Sequence, residues 1–397
     1  MRVLIATTAL CLLAACGSTP KKAPGIVQET VQKQSPLDEA RAQNRHFMSP
    51  ALIDGFPAGT DPNYRPPARL AVLLPQSGSL AAAGTAIRDG ILAGYYAESR
   101  TKPTIRFYNS QGSAEGAKAA YQRALKDGAQ MILGPIGKEE VAAIAETASG
   151  IPVLALNHID QPGNRVLLNF SLNPEREGEL LAERLIGKSL LQAGVFNQGG
   201  DGNARTLAAF EKRYQQAGGK ILFRAPAPQF GKDANGAPVN PVLPESLLQA
   251  KAIMLLMSGT AAKPTRAALA LNGASAIPVF AGSEITENGD AKTNAQLNGI
   301  EFMQIPWLAN QGNALGVTPA QLSKLPSARG GGARLNAFGL DAWLVSTRLQ
   351  VWLGSPNTAI NGATGTLHME PDGQIERKLP WLTFQNGQPQ PVNDSQP

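Results

Sequence analysis

The chain has 397 residues, 43% of them hydrophobic and 17% charged, with a net charge of +6, three histidines and two cysteines. That is enough apolar material for one large domain or two lobes. The basic residues are dispersed rather than clustered with aromatics, which argues against nucleic acid as a partner, and His46, His158 and His368 lie in no metal-ligand spacing, so neither a metal nor a cofactor is expected.

Taken in chain order, the first feature is an apolar run from Val3 to Ala15 behind Met1 and Arg2, followed by polar sequence. It is shorter than the ~20 residues a membrane-spanning helix needs and has the layout of a secretory signal. Leu13, Ala14, Ala15 and Cys16 match the pattern of a bacterial lipobox, so residues 1–15 read as a lipoprotein signal peptide and Cys16 as the lipidated first residue of the mature chain. With Cys11 removed and Cys16 acylated, no disulfide is left to form. Acyl chains contribute about 0.8 kcal/mol per buried CH₂, and several on one cysteine give lasting attachment. Residues 16–67 are polar and proline-rich and read as a tether.

Beyond Arg69 the character changes. "LAVLLP" is a continuous apolar run, and in the "GTAIRDGILAGYYAESR" that follows, Ile87, Ile91 and Tyr95 recur at helical spacing. "IRFYNS", "QMILGP" and "IPVLALN" repeat the strand signal, with helices "AEGAKAAYQRALKDG" and "KEEVAAIAETASG" between them. The pattern restarts with the helix "NPEREGELLAERLIGKSL" and runs through "AGVFNQ", "NARTLAAFEKRYQQAGG", "KILFRAP", "AKAIMLLMSG" and "IPVFAG". Non-alternating strands separated by amphipathic helices imply an α/β fold whose parallel sheets are covered on both faces. Two such runs imply two lobes.

The stretch "LAVLLPQSGSLAAAGTAIRDGILAGYY" resembles the opening of type I periplasmic binding proteins. More narrowly, "ILGPIGKEEVAAIA", "NFSLNPEREGE", "AFGLDAWLV" and the tail "GATGTLHMEPDGQIERKLPWLTFQNGQP" resemble the LppC/LpoA family of lipoproteins, over residues 68–388. The resemblance implies a type I periplasmic-binding-protein-like fold: two Rossmann-like lobes with parallel sheets joined by three crossover segments, near "NFSLNPE", near "NGIEFMQIP" and between Leu353 and Thr366. Lobe 1 would then hold residues 68–170 and 300–353, lobe 2 residues 171–299 and 354–388, and residues 389–397 a C-terminal tail. Longer family members carry a helical-repeat domain ahead of these lobes, and here the tether stands in that place.

Ligands of open α/β sheets bind beyond the carboxyl ends of the strands. The candidates are Gln76, Ser77, Gly78 and Ser79 after the first strand, Gly134 and Pro135 after the third and Asn157 after the fourth, facing Gln198, Ser258 and Glu284 across the cleft. Glycines at such ends let backbone N–H groups approach an anion or a carbonyl.

Enzyme signatures fail. "SRTK" at Ser99 to Lys102 and "SLN" at Ser171 to Asn173 imitate two transpeptidase elements, but no Lys-Thr-Gly follows, and Lys102 precedes Pro103. "IGKSL" lacks the first glycine of a P-loop, since Ala182 stands there. The family resemblance therefore implies a non-enzymatic lipoprotein, in the outer membrane because Gly17 rather than aspartate follows Cys16. Its domain would bind and allosterically activate a class A penicillin-binding protein and so regulate peptidoglycan synthesis. The alternative is a lipid-anchored solute-binding protein of an importer, with an amino acid, an amide or a cell-wall fragment in the cleft.

Overall fold

The computed structural model describes residues 64–392 apart from 160–163, 165, 233, 287–290 and 355–357. The signal peptide, Cys16 and most of the tether lie outside the described residues. The first α/β run is β1 (Arg69–Leu74), α1 (Ala81–Ala97), β2 (Thr104–Asn109), α2 (Ala114–Lys126), β3 (Met131–Leu133), α3 (Lys138–Ala145), β4 (Val153–Ala155) and β5 (Leu167–Phe170). The second is α4 (Pro174–Gly187), β6 (Gln192–Asn197), α5 (Asp201–Gln216), β7 (Lys220–Pro226), the small ribbon β8 (Gly231–Lys232) and β9 (Pro238–Val239), β10 (Ala252–Leu256), α6 (Gly259–Leu271), β11 (Val279–Ala281) and β12 (Glu301–Met303). The chain closes with α7 (Gly332–Ser346), α8 (Leu349–Gly354), β13 (Ile360–Asn361), β14 (Thr366–Met369), β15 (Gln374–Lys378), β16 (Trp381–Gln385) and β17 (Gln388–Pro391).

Two sheets result, in the orders β13-β14-β15-β5-β4-β3-β1-β2 and β17-β16-β12-β11-β10-β6-β7. Their central strands are parallel, and each sheet gains antiparallel strands from the C-terminal segment. The apolar runs lack alternation because both faces are covered. Along β1, Leu70, Val72 and Leu74 pack with Ile87, Ile91 and Trp343, whereas Ala71 and Leu73 pack with Tyr121 and Ile144 on the other face. The second sheet repeats this: Ile253 and Leu255 meet Phe302 and Phe384, and Met254 and Leu256 meet Phe210 and Tyr214. Each fully buried aliphatic side chain of this kind contributes about 1.5–3 kcal/mol.

One close helix contact joins α1 to α7. A Cβ built on Gly90 would lie 2.0 Å from the carbonyl oxygen of Asn336, and one on Gly339 2.1 Å from that of Ile87. The absent side chains let the two backbones touch, and Asn336 Nδ2 donates to the carbonyl of Ala86 at 2.8 Å.

Sheet membership differs from the expected boundaries in three places, and burial in a fourth. β12 pairs in parallel with β11, Phe280 opposite Glu301, so residues 301–303 belong to lobe 2, and the second crossing follows them. Glu301 is held there by Arg184 at 2.8 Å and Lys188 at 3.1 Å, both of lobe 2. Residues 360–378 form β13, β14 and β15, and β15 pairs in parallel with β5, Gln374 opposite Asn169, so they belong to lobe 1. The third crossing is therefore at Leu379–Pro380, not before Thr366. At the C-terminus, Pro389–Pro391 form part of β17 rather than a free tail, with Leu382 opposite Pro391. At the N-terminus, Tyr64, Pro66 and Pro67 are buried rather than part of a tether. The Tyr64 hydroxyl donates to the carbonyl of Thr101 at 3.0 Å, and the guanidinium groups of Arg100 and Arg348 lie over its ring at 4.0 and 5.5 Å.

Candidate functional site

A cavity of about 720 Å³ lies where the lobes meet. The elements that position its wall are ordinary products of local sequence. Asn173, at the first crossing, caps α4 by accepting the N–H of Glu175 at 3.0 Å, and Pro174 occupies the first helical position, where its missing N–H costs nothing. This start of α4 lines the cavity together with Ser171 and Leu172. From lobe 1 come Lys138, the first residue of α3, then Leu156, Asn157 and His158 after β4, and Gln374 and Glu376 of β15. The apolar floor is made by Leu80, Ile87, Ile136, Leu335 and Phe338.

Opposite this floor the wall is charged. Arg205 of α5 donates twice to Glu175, at 2.7 and 2.8 Å. Burial tends to raise the Glu175 pKa, but these hydrogen bonds and the arginine charge outweigh it and hold the carboxyl below its ordinary value. Arg176 lies 2.9 Å from Glu179 on its own helix and 3.2 Å from Glu376 on β15, so this guanidinium ties the lobes together at the hinge. Glu376 is raised above the usual carboxylate range, because its burial outweighs the attraction of Arg176. A second tie lies nearby: Arg334 of α7 donates to Ser283 Oγ at 3.0 Å, and Ser283 donates to Glu177 through Oγ at 2.9 Å and through its N–H at 2.6 Å. Arg377 donates to the carbonyl of Ser171 at 3.1 Å, and its pKa falls to about 10, first through burial and then through the charge of Arg334.

The residues expected in the cleft fare unequally. Asn157 lines the cavity, but its Nδ2 donates to the carbonyl of Ile136 at 2.7 Å and its Oδ1 accepts from the N–H of His158 at 2.8 Å, so its amide shapes the loop. Gln76, Ser77, Gly78 and Ser79 are exposed and outside the cavity lining. Their loop is fixed by Asn109 Oδ1, which accepts from the N–H of Gln76 and of Gln111, each at 2.9 Å. Gly134 and Pro135 are buried and do not offer their backbone to a ligand. The Gly134 N–H donates to the carbonyl of Leu154 at 2.8 Å, and the carbonyl of Pro135 accepts from the N–H of Leu156 at 2.9 Å. With φ of +97° and a would-be Cβ 2.1 Å from the carbonyl oxygen of Leu73, position 134 admits only glycine.

Gln198 and Ser258 sit at the ends of β6 and β10, where the strand order of the second sheet reverses. They are joined, Gln198 Oε1 accepting the N–H of Ser258 at 2.9 Å, and Glu284 accepts from Asn203 Nδ2 at 3.3 Å. The structure thus joins Gln198 to Ser258 in lobe 2 and holds Glu284 on Asn203, and none of the three lines the cavity. Sequence reasoning missed Lys138, Glu175, Arg176, Glu179, Arg205, Lys212 and Glu376. The available signal was the density of charge at the start of α4, directly after the first crossing, where Glu175, Arg176 and Glu179 stand.

Ser99 lies beyond the end of α1, and Lys102 sits 4.9 Å from the Tyr95 ring, so no helix holds the pair one turn apart. Among the described residues no group of three or more His, Cys, Asp or Glu is placed to hold a metal ion, and no helix is long and apolar enough to cross a membrane.

Two α/β lobes, three crossings and a cavity at their junction define a two-lobed domain of the type I periplasmic-binding class. Residues 61–224 and 244–387 match the family described as LppC putative lipoprotein, and the chain belongs to that family. A relative from Serratia proteamaculans (strain 568), named penicillin-binding protein activator LpoA, is 26% identical over 73% of this chain and 47% of its own length. A relative of the same name from Haemophilus influenzae is 26% identical over 82% of this chain and 55% of its own. The chain thus spans about half the length of the curated relatives it matches. Among solved structures, the LpoA C-domain from H. influenzae, described as a regulator of PBP1A, aligns with a TM-score of 0.64 and 23% identity over 82% of this chain and all of its own (100%). A putative branched-chain amino acid ABC transporter structure from Chromobacterium violaceum aligns with a TM-score of 0.60 and 24% identity over 80% of this chain and 100% of its own. These two likenesses concern the fold.

Proposed function

We propose that this chain is a lipoprotein whose two-lobed domain binds a class A penicillin-binding protein and activates it by contact rather than by catalysis. The observation that carries the reading is the family match, which spans both lobes and takes in strands β13 to β16. The curated relatives of that family carry the activator name. Activation requires the domain to bind the active conformation of the synthase more tightly than the inactive one. Cys16 would attach the chain to the outer membrane, and the sequence up to Asn63 would let the domain reach across the periplasm to its partner.

The test adds the domain, residues 64–392, to a cognate class A synthase in detergent and follows glycan polymerisation and cross-linking. A rise in either rate at saturating domain supports the reading, and binding with both rates unchanged overturns it. For the anchor, Cys16→Ala should move the protein from the membrane fraction to the soluble periplasm, and retention in the membrane would remove that part of the proposal.

A further inference from the structure

The inter-lobe cavity is chemically two-faced, and its charges do not cancel. Its lining holds four cations, Lys138, Arg176, Arg205 and Lys212, against three carboxylates, Glu175, Glu179 and Glu376. Every carboxylate is already engaged by a guanidinium: Glu175 by Arg205, Glu179 and Glu376 by Arg176. A cationic ligand would find no uncommitted carboxylate in this wall. The ammonium groups of the two lysines make no hydrogen bond or ion pair with any described residue, although Lys138 stands close enough to Glu175 to feel its charge. They sit on opposite lobes, Lys138 on α3 and Lys212 on α5. Leu80, Ile87, Ile136, Leu335 and Phe338 supply an apolar floor. The volume of about 720 Å³ lies within the ~300–1,000 Å³ of small-molecule sites.

We propose that this cavity binds an amphipathic anion, its apolar body on the Leu80–Ile87–Phe338 floor and its carboxylate or phosphate in reach of Lys138 and Lys212. The site is distinct from the strand-end positions Ser77, Ser79, Gln198 and Ser258, which lie outside the lining. A hydrophobic body gains by leaving water. The anion gains from ammonium groups that have no internal partner to give up.

Isothermal titration of the full chain carrying Cys16→Ala, in the absence of any synthase, tests this independently of the activation proposal. The probes are octanoate, octyl phosphate, octylamine and acetate. Binding of octanoate or octyl phosphate is expected, the stronger of the two identifying the anion, with octylamine and acetate at least about tenfold weaker. The double variant Lys138→Met and Lys212→Met should lose about tenfold or more in affinity for the bound anion. Both lysines are exposed, so this variant should melt at the wild-type temperature. No binding of either anion at about 10 mM, a Kd region worth only about 3 kcal/mol, would overturn the proposal. So would octylamine binding as tightly as octanoate, or the double variant binding as wild type.

Discussion

Asp341 and Thr364 are joined by two hydrogen bonds inside lobe 1: the carboxylate Oδ2 accepts the Thr364 N–H at 2.7 Å and its hydroxyl at 2.6 Å. The other carboxylate oxygen accepts the N–H of Ala363 at 2.6 Å. Asp341 belongs to "AFGLDAWLV" and Thr364 to "GATGTLHMEP", two of the segments that carry the family resemblance. Their joint presence has a physical cause, because the acid on α7 fixes the loop that delivers β14 and β15 to the first sheet.

Asp341→Asn should destabilise the domain by about 2 kcal/mol at pH 7, because the side-chain amide turns donors toward donors in a fully buried site. The effect should depend on pH. Burial raises the Asp341 pKa from 3.8 to about 6, against the opposing hydrogen bonds of Thr364 and Ala363. The folded state then holds this proton more tightly than the unfolded chain. The contribution is full below the unfolded value and is lost as pH rises through the folded one. Urea unfolding should show the wild-type advantage over Asp341→Asn widening by about 1 kcal/mol from pH 7 to pH 5.

Tyr64, the first described residue, is fully buried. Tyr64→Ala removes a fully buried ring and should cost about 3 kcal/mol. Tyr64→Phe loses only the bond to Thr101 and should cost about 1 kcal/mol. Equal stability of Tyr64→Ala and wild type in denaturant would mean that the segment before Ala68 is a free tether after all.

The acid limb of stability should report on Glu98, which sits under the same tyrosine. Burial alone would raise its pKa, but hydrogen bonds and charge from Arg100, helped by the charge of Arg348, hold it below 4.5. Its contribution is therefore present above the unfolded value and lost as pH falls through the lower folded one. Glu98→Gln should be less stable than wild type at pH 7, and the difference should shrink in unfolding measurements below pH 4.5.

Gly90→Ala should destabilise by about 1–3 kcal/mol, since the new methyl meets a carbonyl at 2.0 Å and pushes α1 off α7. By contrast, the double variant Ser77→Ala and Ser79→Ala, on an exposed loop, should stay within about 0.5 kcal/mol of wild type. Thermal melts of the two variants measure both outcomes. A soft Gly90 position or a costly serine pair would contradict the packing described.

The α/β character, the two successive runs and most strand and helix positions were legible in the amino-acid order, because which face of a segment is buried is written in local periodicity. "LAVLLP" can only be a strand covered on both sides, and Ile87, Ile91 and Tyr95 can only share one face of a helix. Strand partnership is not written locally. Nothing within "IEFM" says that it will pair with β11, and nothing within "GQIERK" says that it will join β5, so the second crossing was legible only to within one strand and the third missed by three, β13 to β15. The site divides in the same way. Strand ends such as Gln198 and Ser258 follow from the run of apolar residues before them, but the cavity wall depends on pairs brought together from distant segments. Arg176 finds Glu376 across most of the second lobe, and which cations of the wall stay uncommitted, Lys138 and Lys212, emerges only after its arginines and carboxylates have paired in three dimensions.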